Sequence, residues 1–237
     1  MSQFYSSISK YYGKIFPADM KRVEFLLHAS RDGDDVLDIA CGSGEIAKKM
    51  QDNGKNVYAI DIEDDMVELA REKGIDAHVM DMLELQIKKK FDMVYCIGNS
   101  VSHLETKFDL DDFLFQMPML LKKGGHLVIH IINFLRIWDE NAPDGALLYE
   151  LPVIENEGVR FERRYYREKD KIRFNAILNA DGETFEDNQL LLNINPKDLI
   201  NFLISLGFGV KIYGGFNKAA EFEAKKSFSF ILKATRL

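Results

Sequence analysis

Short apolar runs alternate with amphipathic stretches over the first 145 residues of the chain. VLDIA (36–40), VYAI (57–60), AHVM (77–80), MVYCI (93–97) and HLVIHII (126–132) have the near-continuous apolar character of buried strands. Residues 45–54, 64–74 and 110–125 between them are predicted helices. In the second, Met66, Leu69 and Ala70 share one face and Gly74 follows as a C-cap. Alternation of this kind predicts a parallel sheet covered by helices on both sides.

From Leu147 to Ile194 the pattern changes to consecutive strands. RFERRYYRE (160–168) and KIRFNAILN (171–179) flank Lys169-Asp170, and Asp181-Gly182 is a hairpin signal. Ile172, Phe174, Ala176 and Leu178 alternate with Arg173, Asn175 and Asn179, so only one face of that strand is well buried. A helix is predicted from Pro196 to a stop at Gly207. FGVKIYGGF (208–216) and SFSFILKAT (227–235) are expected to close the sheet as an antiparallel hairpin. The expected organisation is an α/β domain of residues 1–146 and 195–237, with an antiparallel β insertion at 147–194.

Composition narrows the class. The 237 residues are 46% hydrophobic and 29% charged, values of an ordinary globular protein. No apolar run approaches the roughly 20 residues that span a bilayer, so no membrane partner is expected. The start, MSQFYSSISKYYGK, has neither the apolar core nor the cleavage site of a signal peptide, which leads to an expected cytoplasmic location. Cys41 and Cys96 are too few for a disulfide framework and lack a metal-ligand spacing. Each ends an apolar run and is read as a small buried thiol, and no metal is expected. The net charge of -7 disfavours a broad phosphate-backbone interface, hence nucleic acid as a partner.

Gly42-Ser43-Gly44-Glu45-Ile46-Ala47 matches G-x-G-x-x-A between a strand and a helix. Glycines there allow a tight turn and close approach of backbone to a ligand, above a helix N-terminus. That much is shared with dinucleotide-binding enzymes. Asp38, four residues before the first glycine, would repel a pyrophosphate but suits the ammonium of an amino acid moiety. Asp61 ends the next strand, where an acid accepts the hydroxyls of a ribose, and Asp81 follows the third, placed to accept from an adenine amino group. A ligand with a cationic end, a ribose and an adenine is S-adenosylmethionine, the expected cofactor.

With these residues the chain resembles the Rossmann-like (class I) S-adenosylmethionine-dependent methyltransferases across almost its full length. VLDIACGSGEIA is similar to their first motif, with Ala40 where many members carry glycine; YAIDIEDDM, VMDM and FDMVYCIGNSVSHL are similar to the second, third and fourth. The resemblance implies a seven-stranded, mostly parallel sheet with a reversed C-terminal strand hairpin. It implies cofactor contacts from Tyr12, Asp38, Ala40, Gly42, Gly44, Asp61, Ile62, Met66, Asp81, Met82, Cys96 and Ile97. IGNSVSHL resembles the run in glycine and sarcosine N-methyltransferases and related small-molecule enzymes, as do HIIN (130–133) and IYGGF (212–216). By that resemblance Asn99 lies by the methyl donor and substrate, Ser100 and His103 line the pocket, and Asn133 meets the substrate. The glycine enzymes carry an arginine just before that last asparagine; this chain has Ile132, which places glycine as substrate in doubt, and Arg136 substitutes only if the loop is shaped differently.

Methyl transfer from an activated sulfonium needs alignment and exclusion of water more than covalent help, with a general base if the acceptor is an amine. His103, at the carboxyl edge of the sheet, is the candidate base, against a pocket-lining or structural role. His130, inside a strand, is read as a core histidine; His28, His78 and His126 have no supporting context. Tyr11 and Tyr12 are expected to precede a helix that begins near Ala18, one of them contacting the donor or packing on the helix. The arginines of 160–168 are either an anion-attracting cluster or a solvated face with cross-strand ion pairs. Phe134 and Trp138 either wall the acceptor or cover the insertion. The leading expectation is methyl transfer to a nitrogen or oxygen of a small-molecule acceptor, with the insertion as lid, acceptor site or subunit contact of a homodimer. The alternatives are an RNA-modifying methyltransferase, a non-catalytic S-adenosylmethionine-binding regulatory protein and, disfavoured by Asp38 and the reversed strand, an NAD-dependent dehydrogenase.

Overall fold

The five apolar runs become β1 (Asp35–Ile39), β2 (Asn56–Asp61), β3 (Asp76–Val79), β4 (Phe91–Cys96) and β5 (Leu121–Ile132) of one sheet. The structure is a computed structural model that describes residues 4–30 and 33–237. With β11 (Phe208–Tyr213) and β12 (Ser229–Arg236) the sheet has seven strands in the order β11-β12-β5-β4-β1-β2-β3. β1 to β5 run parallel, and β12 runs antiparallel to both β5 and β11. This is the expected Rossmann-like α/β fold with its reversed C-terminal strand.

Strand alternation sorts the core into two layers. Leu37, Ile39, Val94 and Ile129 pack on one side with Phe113 and Leu114 of α5 (Lys107–Leu120). Val36, Met93, Tyr95 and Val128 pack on the other with α2 (Met20–Ala29), α3 (Glu45–Asp52) and α4 (Asp64–Glu72) through Leu26, Met50 and Val67. α6 (Pro196–Ser205) joins the α5 side through Leu199 and Leu203.

Residues 147–191 form a second, antiparallel sheet of five strands: β6 (Leu147–Glu150), β7 (Ile154–Asn156), β8 (Val159–Glu168), β9 (Lys171–Ala180) and β10 (Glu183–Leu191). Its order is β10-β9-β8-β6, with β7 also paired to β8. Asp181 and Gly182 turn the β9–β10 hairpin with φ of 53° and 80°, the left-handed pair such a two-residue turn needs. The inner face, with Phe161, Tyr165, Ile172, Phe174 and Leu178, packs against Ile8, Tyr11 and Ile15 of α1 (Phe4–Ile15).

Three boundaries differ from the sequence reading. Tyr11 and Tyr12 do precede a helix that starts near Ala18, α2 at Met20, but they lie inside an additional helix, α1, whose Ile8, Tyr11 and Ile15 share a face that the second sheet buries. α5 ends at Leu120, two residues after Pro118, and residues 121–125 belong to β5 because Leu121 already pairs with Phe91. β11 stops at Tyr213, where the Gly214 N–H turns away to donate to the Ala220 carbonyl at 2.8 Å. Among the described residues no helix is long and apolar enough to cross a membrane.

Candidate active site

A cleft opens at the carboxyl ends of β1, β2 and β4 and the loop after β3. β1 and β4 are neighbours where the strand order reverses, the point at which open α/β sheets bind ligands. Its walls carry Ala40 and Gly42 after β1, Asp61, Ile62 and Met66 after β2, Asp81 and Met82 after β3, and Ile97, Ser100 and His103 after β4. Tyr12 reaches in from α1. Residues from Ala40 to His103, 63 positions apart, are thus brought to one cleft by the parallel topology, and α1 adds Tyr12.

The loop from Ala40 to Gly44 is strained where it must be. Ala40, Gly42 and Gly44 have φ of 59°, 53° and 78°. A Cβ at position 42 would lie 2.9 Å from Tyr12 Cε1, and one at position 44 would lie 3.0 Å from Ala70 Cβ. The first glycine therefore lets the tyrosine ring close on the loop, and the second lets α4 pack beneath it. The Gly42 N–H donates to Asp61 Oδ2 at 2.7 Å, and the Glu63 N–H donates to Asp61 Oδ1 at 3.0 Å. Lys73 holds the same loop from outside by donating to the Ser43 carbonyl at 2.6 Å and pairing with Glu45 at 3.2 Å.

Burial raises the Asp61 carboxyl above its ordinary range, while the Glu63 and Gly42 amides draw it back. Asp81 Oδ1 accepts from the Leu83 N–H at 2.9 Å, which fixes its turn at the cleft rim. Burial pushes the Tyr12 hydroxyl well up, with the Asp61 charge adding to it, so that ring stays neutral. His103 is lowered to about 4 by burial against a raising hydrogen bond with the Gln189 side chain.

Other residues singled out by sequence lie behind this wall. Asp38 is buried and accepts from Tyr95 Oη at 2.9 Å; burial raises its carboxyl well above the usual range. Gly44 caps α3, and Cys96 is a buried thiol raised by burial, whereas Cys41 is half-buried. Asn99, at φ 76°, spends Oδ1 on the Ile132 N–H (2.9 Å) and the Ser102 hydroxyl (2.9 Å). Asn133 donates from Nδ2 to the Ala224 and Ser227 carbonyls, both at 2.8 Å, and so ties down the loop before β12. Arg136 stacks over Tyr149 and Phe228. His130 accepts from the Gly98 N–H through Nδ1 at 3.1 Å, with Nε2 against Ser229 Oγ at 3.1 Å; burial lowers it to about 3.

The arginines of β8 divide by face. Arg160 pairs with Glu155 and Glu162, and Arg164 with Glu150 and Glu162, forming the cross-strand ladder of a solvated face. Arg167 stacks on Trp138, and Phe134 meets Tyr165 edge-on, so both aromatics cover the second sheet. Sequence reasoning passed over Ile39, Ile60, Glu63, Met80 and Gly98 in the wall, although each adjoins a residue it named or ends a named strand. Among the described residues no group of three or more His, Cys, Asp or Glu side chains could hold a metal.

Residues 36–125 match the model of a methyltransferase domain family. Among curated proteins, the chain is 29% identical over 96 residues to the dTDP-3-amino-3,6-dideoxy-alpha-D-glucopyranose N,N-dimethyltransferase of Streptomyces fradiae, an alignment covering 40% of this chain and 38% of the relative. The alignments to the first curated relatives span less than half of those proteins' length. Among solved structures, an S-adenosylmethionine-dependent methyltransferase from Clostridium acetobutylicum superposes with a TM-score of 0.80 at 18% identity, covering 98% of both chains. The amino pentose methyltransferase CalS10 from Micromonospora echinaspora, solved with S-adenosylmethionine bound, gives 0.73 at 20% identity over 100% of this chain and 98% of its own. The chain therefore has the Rossmann-like fold of class I S-adenosylmethionine-dependent methyltransferases, with a methyltransferase domain at residues 36–125.

Proposed function

We propose that the protein transfers a methyl group from S-adenosylmethionine to a nitrogen or oxygen of a small-molecule acceptor, with an amine on a sugar-like molecule as the favoured class. The observation that carries this reading is the ring of Asp61, Asp81, Tyr12 and His103 about a single cleft at the strand-order reversal. The amino-sugar enzymes among the relatives support the acceptor class.

The residues present fit the donor. Asp61 lines the cleft with a carboxylate held by the Gly42 and Glu63 amides, and its remaining acceptor capacity suits a ribose hydroxyl. Ile62, Met66, Met82 and Ile97 give an apolar slot for adenine, beside an Asp81 carboxylate for its amino group. The turn of the glycine loop at Ala40 and Gly42, both of which line the cleft, offers backbone to the amino acid end, with the Tyr12 ring packed over Gly42. When bound, the donor supplies an electrophilic methyl carbon on a sulfonium, whose C–S bonding pair leaves with sulfur as the acceptor lone pair attacks.

The chain's own residues would align and dry the reaction. Tyr12 covers the glycine loop and keeps water from the donor side. Ser100 and His103 face the remaining opening, where they hydrogen-bond the acceptor, and a ring held neutral by burial accepts from its N–H or O–H. The 147–194 segment would wall the acceptor side, since β10 lies against the turn that carries His103. Incubation with S-adenosylmethionine and a panel of amino sugars, amines and hydroxylated metabolites, read by mass spectrometry, tests the reading. Accumulation of S-adenosylhomocysteine with one methylated product is expected; no turnover across the panel despite donor binding would favour a regulatory protein.

A further inference from the structure

α5 is apolar on two sides, although only one of them meets the sheet. Leu110, Phe113, Leu114 and Met117 are buried with the residues of β4 and β5. Phe108, Phe115 and Met119 face outward, 81%, 57% and 66% exposed, with exposed Asp112 between them. Their spacing of i, i+4, i+7 and i+11 sets these four residues in one stripe along the helix. Phe115 meets Phe202 of α6 edge-on, with ring centroids 5.4 Å apart, which widens the stripe onto the second helix. A helix that is apolar all round belongs inside a protein, so this stripe lacks a cover.

The two ends of the stripe carry opposite charge. Asp109, Asp111 and Asp112 lie in the first half of α5, and Asp198 of α6 stands beside them, 3.9 Å from Lys107. Burial raises the Asp111 carboxyl, and the neighbouring Asp112 and Asp198 charges raise it further. At the other end, Lys122 and Lys123 follow the helix, and Lys88, Lys89 and Lys90 lead into Phe91, which pairs with Leu121. Lys89 and Lys122 share Asp35, at 2.7 and 3.1 Å, and Lys122 also reaches Asp92 at 3.0 Å. Lys88, Lys90 and Lys123 make no ion pair among the described residues.

We propose that the stripe is covered by the same stripe of a second copy, α5 packed antiparallel on α5 across a two-fold axis. An axis between Asp112 and Phe115 sets Phe108 of each copy against Met119 of the other and brings the two Phe115 rings side by side. It also lays the acidic end of each helix toward the lysine end of the other, the self-complementarity that a two-fold contact requires. A parallel pair would set like charges together. The free strand edges suit a second copy less well. A two-fold pair along β10 would centre on Asp187, opposite its own copy, with Glu186 beside it. β3 has only four residues, and β11 presents an exposed Lys211. The homodimer contact is thereby assigned to α5 and not to the 147–194 insertion. No residue of α5 or α6 lines the cleft, so the contact does not depend on methyl transfer.

The test is sedimentation velocity of the full-length protein at concentrations of about 1 to 100 µM, in about 50 mM and about 500 mM salt. Wild type is expected to be a dimer at about 10 µM in low salt, with its dissociation constant raised about tenfold in high salt. Phe115→Asp is expected to sediment as a monomer throughout. Asp112→Lys and Lys123→Glu should each weaken the dimer about tenfold, and the double variant should recover wild-type affinity within about threefold. Circular dichroism and thermal midpoints of the same samples separate loss of the contact from loss of the fold. Should Phe115→Asp fail to fold, Phe108→Ser is expected to weaken the dimer at least tenfold. A wild type that stays monomeric at about 100 µM, including one that instead sediments with anionic lipid vesicles, would overturn the proposal. A dimer that neither phenylalanine substitution weakens would overturn it equally, and a double charge variant that stays weak would overturn the antiparallel order.

Discussion

Gly42 and Asp61, at the ends of adjacent strands, are joined by a 2.7 Å hydrogen bond from the glycine amide to the carboxylate Oδ2. The bond locks the glycine loop to the acid that would hold the donor ribose. On its other side the same glycine lies under the Tyr12 ring, with room for no Cβ and a φ of 53°. Gly42→Ala therefore strains the loop and displaces Tyr12 together. The expected cost is about 1–3 kcal/mol of stability and at least a tenfold loss of S-adenosylhomocysteine affinity, checked by urea unfolding and calorimetry on one preparation.

Ala40 adopts φ 59° without being glycine. A left-handed L-residue costs about 1–2 kcal/mol, partly offset by the greater freedom of an unfolded glycine. Ala40→Gly is expected to stabilise the chain by up to about 1 kcal/mol, read as a higher thermal midpoint. A lower midpoint would show that the loop's conformation is not the source of strain.

The hydroxyl of Tyr11 donates to Asp181 Oδ2 at 2.6 Å, tying α1 to the β9–β10 hairpin. Because Tyr12 is the next residue, this bond steadies the ring over the glycine loop from the far side of the helix. Tyr11→Phe is expected to cost about 1.5–3 kcal/mol, the range for a hydrogen bond to a charged group. It should also weaken S-adenosylhomocysteine binding several-fold and expose α1 to proteolysis. An unchanged cleavage rate of α1 would contradict the coupling.

How much of this was legible in the sequence follows from what kind of signal each feature leaves. Strands β1, β2, β4 and β5 carry apolar runs because both faces are covered, while β3 at the sheet edge leaves Val79 exposed; the reversed C-terminal pair could be read from two runs joined by a polar loop. α1 was missed because its buried positions Ile8, Tyr11 and Ile15 lie among serines, lysines and Gly13, a weak periodic pattern that only the second sheet makes sense of. Asp61, Asp81, Ser100 and His103 were placed by position after strands, which parallel topology converts into proximity. Asn99 and Asn133 were named on resemblance, and their amides turn out to hold β5 and the loop before β12. An asparagine that binds a loop and one that binds a ligand look alike in sequence.

His130 stays neutral to about pH 3, whereas an unfolded histidine titrates near 6.5. The unfolded chain then binds more protons between these values, so the stability due to buried neutral His130 is complete above about pH 6.5 and is lost as pH falls toward 3. His130→Gln keeps an acceptor for the Gly98 amide but does not titrate. From pH 7 to pH 5 it should lose less stability than wild type, by urea unfolding at both pH values. Equal losses would mean that His130 is not held neutral by the fold.

Cofactor recognition depends most directly on Asp61. Calorimetric titration of wild type and Asp61→Ala with S-adenosylhomocysteine, with NADH as the competing adenine ligand, measures it. Micromolar or tighter binding of S-adenosylhomocysteine by wild type is expected, with at least a hundredfold loss in a folded Asp61→Ala and no heat from NADH. Absence of binding to wild type, or equal affinity in the variant, would contradict the account.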